Sequence, residues 1–197
     1  MADFLLFLIF MVPGTLFLGV SDILVRKILV KNTVKEESLL GLIYLLSGVL
    51  LSASLPFIGI SEVISGFWLA FVITVSLNIF SQLVWYKAFK LEQASLVSPL
   101  SLLTPPLVIL TGFLVLREIP SQAGIAGILI IMMGLWFLLR AEAAFTQVRM
   151  KEVVFRSGIQ LGIIGAVMFG FSFPFDKKAV LLSSTILFSV LYLLTIG

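Results

Sequence analysis

The sequence predicts an all-α, polytopic membrane protein, and three observations predict it. Apolar residues make up 60% of the 197 and charged residues 12%, about half the charged share of an ordinary soluble domain, and the mean hydropathy is +1.22. Uncharged runs extend from Phe4 to Ser21, Ser38 to Ser61, Val63 to Tyr86, Gln93 to Leu116, Ile119 to Leu139, Ser157 to Phe175 and Ala179 to Gly197. Each reaches the ~18 residues that mark a transmembrane helix, so seven spans are expected. The short connections hold the Lys and Arg, as at helix ends on a membrane surface. The net charge of +3 is therefore no argument for nucleic acid.

Composition also excludes chemistry. With no Cys and no His there is no disulfide framework, thiolate metal site or thiol nucleophile, and the commonest metal ligand and general base is missing. No Asp-rich metal-binding motif stands in for them, so neither a metal, nor a cofactor, nor enzymatic activity is expected. The first run has no basic region before it and no small-residue cleavage site after it, which reads as a retained helix and not a signal peptide.

The first helix spans about Phe4 to Leu29, and Pro13 removes one backbone donor near mid-membrane. Its one acid, Asp22, follows Ser21 and lies four residues before Arg26, the spacing of a helical ion pair. Either Asp22 pairs with Arg26 at the interface, or it is an acid of a solute pathway, since ionisable groups at depth are costly and usually kept for use. The second helix, Ser38 to Pro56, is nearly featureless, and Pro56, Gly59 and Ser61-Glu62 end it.

The third helix sets Asn78, Gln82 and Trp85 on one stripe, with Tyr86 beside them. An amide stripe facing lipid would cost several kcal/mol unsatisfied, so it is expected to point inward. It would serve as interhelical glue, as a solute lining, or as both. The fourth helix carries Ser98, Ser101 and Thr104 at steps of three, then Pro105 and Pro106. The prolines cannot donate to the carbonyls of Ser101 and Leu102, which predicts a broken or kinked helix at membrane depth. The two-residue connection Arg117-Glu118 forces an antiparallel hairpin, with Pro120 suited to the first position of the fifth helix. In that helix Gly124, Gly127 and Gly134 form a small-residue face, expected to be a packing seam.

The small-residue, proline-containing fourth helix, the turn ending at Glu118 before Pro120-Ser121-Gln122, and Gly124, Gly127 and Gly134 followed by Leu135-Trp136-Phe137 resemble the EamA family of the drug/metabolite transporter superfamily. The resemblance implies a ten-helix carrier made of two five-helix repeats of opposite membrane orientation. Laid against the segment that begins at Gly14, the segment that begins at Gly165 brings Gly19 to Gly170, Ser21 to Ser172 and Arg26-Lys27 to Lys177-Lys178. Tyr44-Leu45-Leu46-Ser47 likewise resembles Tyr192-Leu193-Leu194-Thr195. Residues 1–145 are thus expected to form a first repeat and 146–197 the start of a second. The complete product is expected to be larger by roughly a hundred residues.

On this reading the protein is a secondary transporter that exports a small metabolite by alternating access, in a prokaryotic cell membrane. Ser21, Asp22, Asn78, Gln82, Trp85, Tyr86, Ser98, Ser101, Thr104 and Ser172 would line one central pathway, with Asp22 the acid best placed for proton coupling. A lipid-intermediate flippase or membrane assembly subunit is the alternative, with a membrane-embedded enzyme behind it. The expected partners are a small-molecule substrate, the bilayer and a second copy in a homodimer. Arg26, Lys27, Lys31 and Lys35 follow the first run, Lys87 and Lys90 the third, and Arg140, Arg149, Lys151 and Arg156 the fifth. This asymmetry puts the N-terminus outside, whereas the resemblance implies cytoplasmic termini. Because the chain has no native Cys, a single Lys35→Cys variant decides: by the charge count it resists an impermeant maleimide in intact cells and reacts only after permeabilisation.

Overall fold

In the computed structural model, which describes residues 2–31, 34–58, 62–117 and 121–197, every regular element is helical. The long α1 (Ala2–Val30) is followed by α2 (Glu36–Ser52), the short α3 (Leu55–Ile58) and α4 (Phe67–Leu91). The next span is broken into α5 (Ala94–Val97), a 3-10 turn over Ser98–Leu103, and α6 (Thr104–Leu116). Then come α7 (Gln122–Phe145), α8 (Met150–Val154), α9 (Ser157–Leu181) and α10 (Thr185–Ile196).

Five stretches among the described residues are long and apolar enough to cross a membrane: Glu36–Phe57, Phe67–Leu91, Ala94–Val115, Gln122–Phe145 and Ser157–Leu181. These correspond to five of the seven expected spans, the second to the sixth. The last apolar run is divided, because α9 continues through Asp176, Lys177 and Lys178 to Leu181 and Ser184 caps a new helix by accepting from the Leu187 amide. That leaves α10 with 12 residues, about 18 Å, short of a ~30 Å hydrocarbon core. In the 29-residue α1, the side chains of residues 2–8 and 10 lie outside the described set.

The break in the fourth span falls where Pro99, Pro105 and Pro106 remove amide donors. The chain tightens to a 3-10 turn in which the Thr104 amide reaches the Ser101 carbonyl, one of the two that Pro105 and Pro106 were expected to free. Arg117 ends α6 in the left-handed region at φ 56°, its amide bonded to the Gly112 and Phe113 carbonyls. A glycine would take this place at no steric cost, and arginine holds it at about 1–2 kcal/mol. Glu118 and Pro120, and Gly59 and Ser61 after α3, lie outside the described residues. Ser121 caps α7 by accepting from the Gly124 amide at 3.1 Å.

The core is a sandwich with α9 at its centre. It runs antiparallel to α4: Gly158 meets Ala88 and Glu92 at one end, Gly165 meets Trp85 midway, and Asp176 meets Thr74 near the other. On its neighbouring face Gly162 and Gly170 receive Leu100 and Leu107 of the broken span. A methyl group at Gly158 would come within 2.5 Å of Glu92 Cβ, and one at Gly170 within 2.4 Å of Leu107 Cβ, so only glycine admits these backbones. The small-residue seam therefore belongs to α9. The expected seam on α7 is not packed: nothing lies within 4 Å of a Cβ at Gly127 or Gly134, and the one at Gly124 would meet only Ser121.

Second to this is the pair α2 and α10, also antiparallel, with Gly48 against Leu194, Gly41 against Gly197, and the Tyr44 and Tyr192 rings 6.1 Å apart. Ion pairs close the surface ends, Lys90 with Glu36 at 2.9 Å and Arg156 with Glu142 at 2.8 Å and Glu92 at 3.7 Å. Outward-facing positions are apolar, with Phe17 75% and Leu50 77% exposed. Such a surface suits lipid and not water.

The glycine seam is testable by thermal unfolding in detergent. Gly158→Ala, which drives a methyl into Glu92 and the Ala88 carbonyl, is expected to cost about 1–3 kcal/mol. Gly127→Ala, with open space around it, should cost nothing and gain slightly from helix propensity.

Candidate functional site: two polar centres at different depths

The residues expected to line one pathway fall into two groups separated along α4. Tyr86 marks one and Thr74 the other, about 18 Å apart at 1.5 Å per residue.

The first centre lies between α1 and the broken span. Ser98, at the start of the 3-10 turn, donates its hydroxyl to Asp22 Oδ2 at 2.6 Å, and Tyr86 of α4 is within electrostatic reach of Asp22. Asp22 does not pair with Arg26. That guanidinium donates through Nε to the Glu92 carbonyl at 2.9 Å, fastening α1 to the end of α4. An open cavity of about 930 Å³ adjoins the centre. Gly19, Ile23 and Pro99 give it an apolar wall, while Arg26, Lys27 and Lys31 charge its rim and Ser98 faces into it.

The second centre lies on the α4–α9 seam. Asp176 Oδ1 accepts from the Thr74 hydroxyl and, at 3.5 Å, from Asn78 Nδ2. Asn78 Nδ2 also donates to the Thr74 carbonyl at 2.9 Å. Ser172 Oγ lies 3.4 Å from Asn78 Oδ1, 3.5 Å from Asp176 Oδ2 and 3.0 Å from the Phe169 carbonyl. Thr74, Asn78 and Ser172 are buried. Tyr192 of α10 is in electrostatic reach of Asp176, and the Tyr44 hydroxyl faces both Tyr192 and Gln82. Polar side chains thus continue from the second centre toward the first.

Several expected residues stand elsewhere. Trp85 is buried, but its ring fills the space left by Gly165, so it packs and does not line a cavity. Ser101 is exposed and spends its hydroxyl on the Ser98 carbonyl at 2.7 Å. Ser21 is exposed on α1 and Thr104 half-buried; neither joins a centre. Thr74 and Asp176 were missed. Thr74 is one turn before Asn78, and Asp176 one turn after Ser172. That doubled spacing was the available signal, but the lysines after Asp176 marked it as a helix end.

Two further hydroxyls act as interhelical bonds. Ser81 donates to the Gly165 carbonyl at 2.8 Å. Pro174 has no amide proton, so it cannot pair with the Gly170 carbonyl one turn back, and the hydroxyl of Thr111 of α6 lies 2.8 Å from that carbonyl and equally close to the Leu107 carbonyl of its own helix, where it can donate to either. No group of three or more acidic residues placed to hold a metal occurs among the described residues.

A multi-pass helical bundle with a broken span, polar centres in its interior and an apolar exterior is an integral membrane protein. The EamA-like transporter family matches it over residues 5–140, which reach from α1 to near the end of α7. The chain belongs to this family, whose members are transporters of the drug/metabolite superfamily. No curated protein and no solved structure matches the chain.

The Thr111–Gly170 bond has its own test. Thr111→Val is expected to cost about 0.6–1.7 kcal/mol in mixed-micelle unfolding. In a Pro174→Ala background the Gly170 carbonyl regains a helical partner, and the same substitution should then cost clearly less. Equal costs in both backgrounds would show that Thr111 is not repairing the proline gap.

Proposed function

We propose that the protein is a secondary carrier that moves a small polar or amphipathic metabolite outward across a prokaryotic cell membrane by alternating access. The observation that carries this reading is the first polar centre: a helix broken at membrane depth, its serine bonded to an acid of α1, beside an open cavity of about 930 Å³. Broken helices are where carriers meet their solutes, because unwound backbone and hydroxyls replace the solute's hydration. Asp22 and Ser98 are the binding pair, and Tyr86 backs them. The apolar wall takes the carbon skeleton, and the basic rim admits solutes with an anionic group. α1 is the moving element, since among its described residues 11–20 are all exposed and the buried ones, Val25 and Leu29, lie near its C-terminal end. The antiparallel meeting of Tyr44 with Tyr192, the two tyrosines that the sequence aligns, supports a two-fold relation between α2 and α10 and hence an inverted repeat. A homodimer is part of the same proposal.

The test is a growth-tolerance screen with the gene over-expressed against a panel of toxic metabolites, followed by transport in membrane vesicles. The wild-type chain should raise tolerance to at least one compound. Asp22→Asn should abolish that gain, and Ser98→Ala, which removes one hydrogen bond to a carboxylate, should weaken apparent affinity about tenfold. A tolerance gain that survives Asp22→Asn at equal expression would remove Asp22 from the pathway.

A further inference from the structure

We propose that the carboxyl group of Asp176 reversibly binds a proton at the α4–α9 seam and is the coupling group of the carrier; the coupling half of this statement rests on the transport reading above. The sequence pointed to Asp22 for that task, but Asp22 is bonded to Ser98, which faces the solute cavity. Asp176 sits in the other centre, about 18 Å further along α4, among groups built to accommodate two protonation states.

The two carboxyl oxygens differ. Oδ1 takes the hydroxyl of Thr74 and the amide of Asn78, donors that hold the group in place whatever its charge. Among the described residues Oδ2 has Ser172 Oγ, at 3.5 Å, as its one hydrogen-bond partner. The Ser172 hydroxyl has a second acceptor in the Phe169 carbonyl at 3.0 Å. With Asp176 ionised, Ser172 donates to Oδ2. When a proton from water forms an O–H bond on Oδ2, that hydrogen points to Ser172 Oγ, and the serine hydrogen turns to Phe169. Release reverses both steps and returns the proton to water. Each state leaves every polar hydrogen with a partner, which a purely structural aspartate would not require.

Among the described residues the side chains hydrogen-bonded to Asp176 are Thr74, Asn78 and Ser172, all neutral. From α4 it meets Thr74 and Asn78, and from α10 Tyr192, with Tyr44 of α2 behind that ring. The broken span, Ala94 to Leu116, has no titratable side chain. On α9 itself Lys177 and Lys178 follow at about 100° and 200° round the helix. Arg156, Glu92 and Glu142 close the far end of the α4–α9 pair, where Lys151 and Glu152 of α8 also lie. An acid at membrane depth whose partners are neutral is a functional group by default. The ligand is a proton and not a metal cation, because Thr74 and Asn78 present hydrogens to Oδ1 where a metal needs lone pairs.

Infrared difference spectra of the purified chain in lipid nanodiscs, taken along a pH ramp, read the site without any solute. The wild type is expected to give a protonated-carboxyl band that Asp176→Asn removes, that Ser172→Ala shifts because its hydrogen-bond acceptor is gone, and that Asp22→Asn leaves in place. Ser172→Ala removes one oxygen and keeps the small side chain that the seam admits, so it stands as a test even where Asp176→Asn fails to accumulate. A band indifferent to Ser172→Ala, or one retained in Asp176→Asn, would overturn the proposal. So would a band moved by sodium at fixed pH and ionic strength, which would make the site a metal-cation site. If the band behaves as expected but no compound in the panel is transported, the proton site stands and the carrier reading falls. Transport without the band leaves the carrier and removes Asp176.

Discussion

The close approach of α9 to its neighbours is the constraint on which the other contacts depend. In hydrocarbon a polar group must find its partner inside the protein, and an unmade hydrogen bond costs several kcal/mol where a made one returns about 0.6. Gly158, Gly162, Gly165 and Gly170 remove the side chains that would hold α4 and the broken span away. Hydroxyls of Ser81 and Thr111 then reach across to backbone carbonyls at 2.8 Å. The second of these bonds repairs the gap that Pro174 opens in its own helix. Proline inside a membrane helix is tolerable here because the glycine four residues earlier brings in a hydroxyl donor.

That seam also divides the two acids by mechanical setting. Asp176 belongs to the most tightly packed helix pair and is held by α4 and by its own helix. Asp22 belongs to α1, which touches the rest of the bundle mainly through its C-terminal half, where Val25 and Leu29 are buried. The Asp22–Ser98 bond therefore joins a lightly held helix to a broken one. Such a contact can be exchanged for a solute contact without disturbing the core.

Much of this was legible in the sequence. The family resemblance rested on the broken fourth span and the glycine and aromatic order of α7, and both the membrane class and the family hold. Pro105 and Pro106 predicted a broken or kinked fourth helix around the Ser101 and Leu102 carbonyls, and a 3-10 turn over Ser98–Leu103 is found there. The stripe of α4 does point inward: Asn78 is buried in a polar centre and Trp85 against Gly165. What pattern could not supply was partnership. Periodicity says which side chains share a face of one helix, and the choice of the helix opposite is made by backbone approach, which depends on glycines elsewhere in the chain. Hence spacing within α1 offered Asp22 a pairing with Arg26 beside its reading as a pathway acid, and the structure bonds it to Ser98.

The glycines make the same point in a sharper form. Gly14 and Gly19 of α1 align with Gly165 and Gly170 of α9, and α7 carries its own set at Gly127 and Gly134. Yet of these three helices' glycines it is those of α9 that are pressed by neighbours; a Cβ at Gly14, Gly19, Gly127 or Gly134 would meet nothing within 4 Å. A small-residue face encodes a capacity for close contact, and whether it is used depends on what else the helix offers. α9 adds Ser172 and Asp176, which α4 can answer with Thr74 and Asn78, and the Gly170 carbonyl left open by Pro174, which Thr111 can answer. Among these faces α9 is thus the one whose polar groups have matching partners in register, and in a lipid solvent, where apolar surface gives little reason for one helix to prefer another, that match selects the seam.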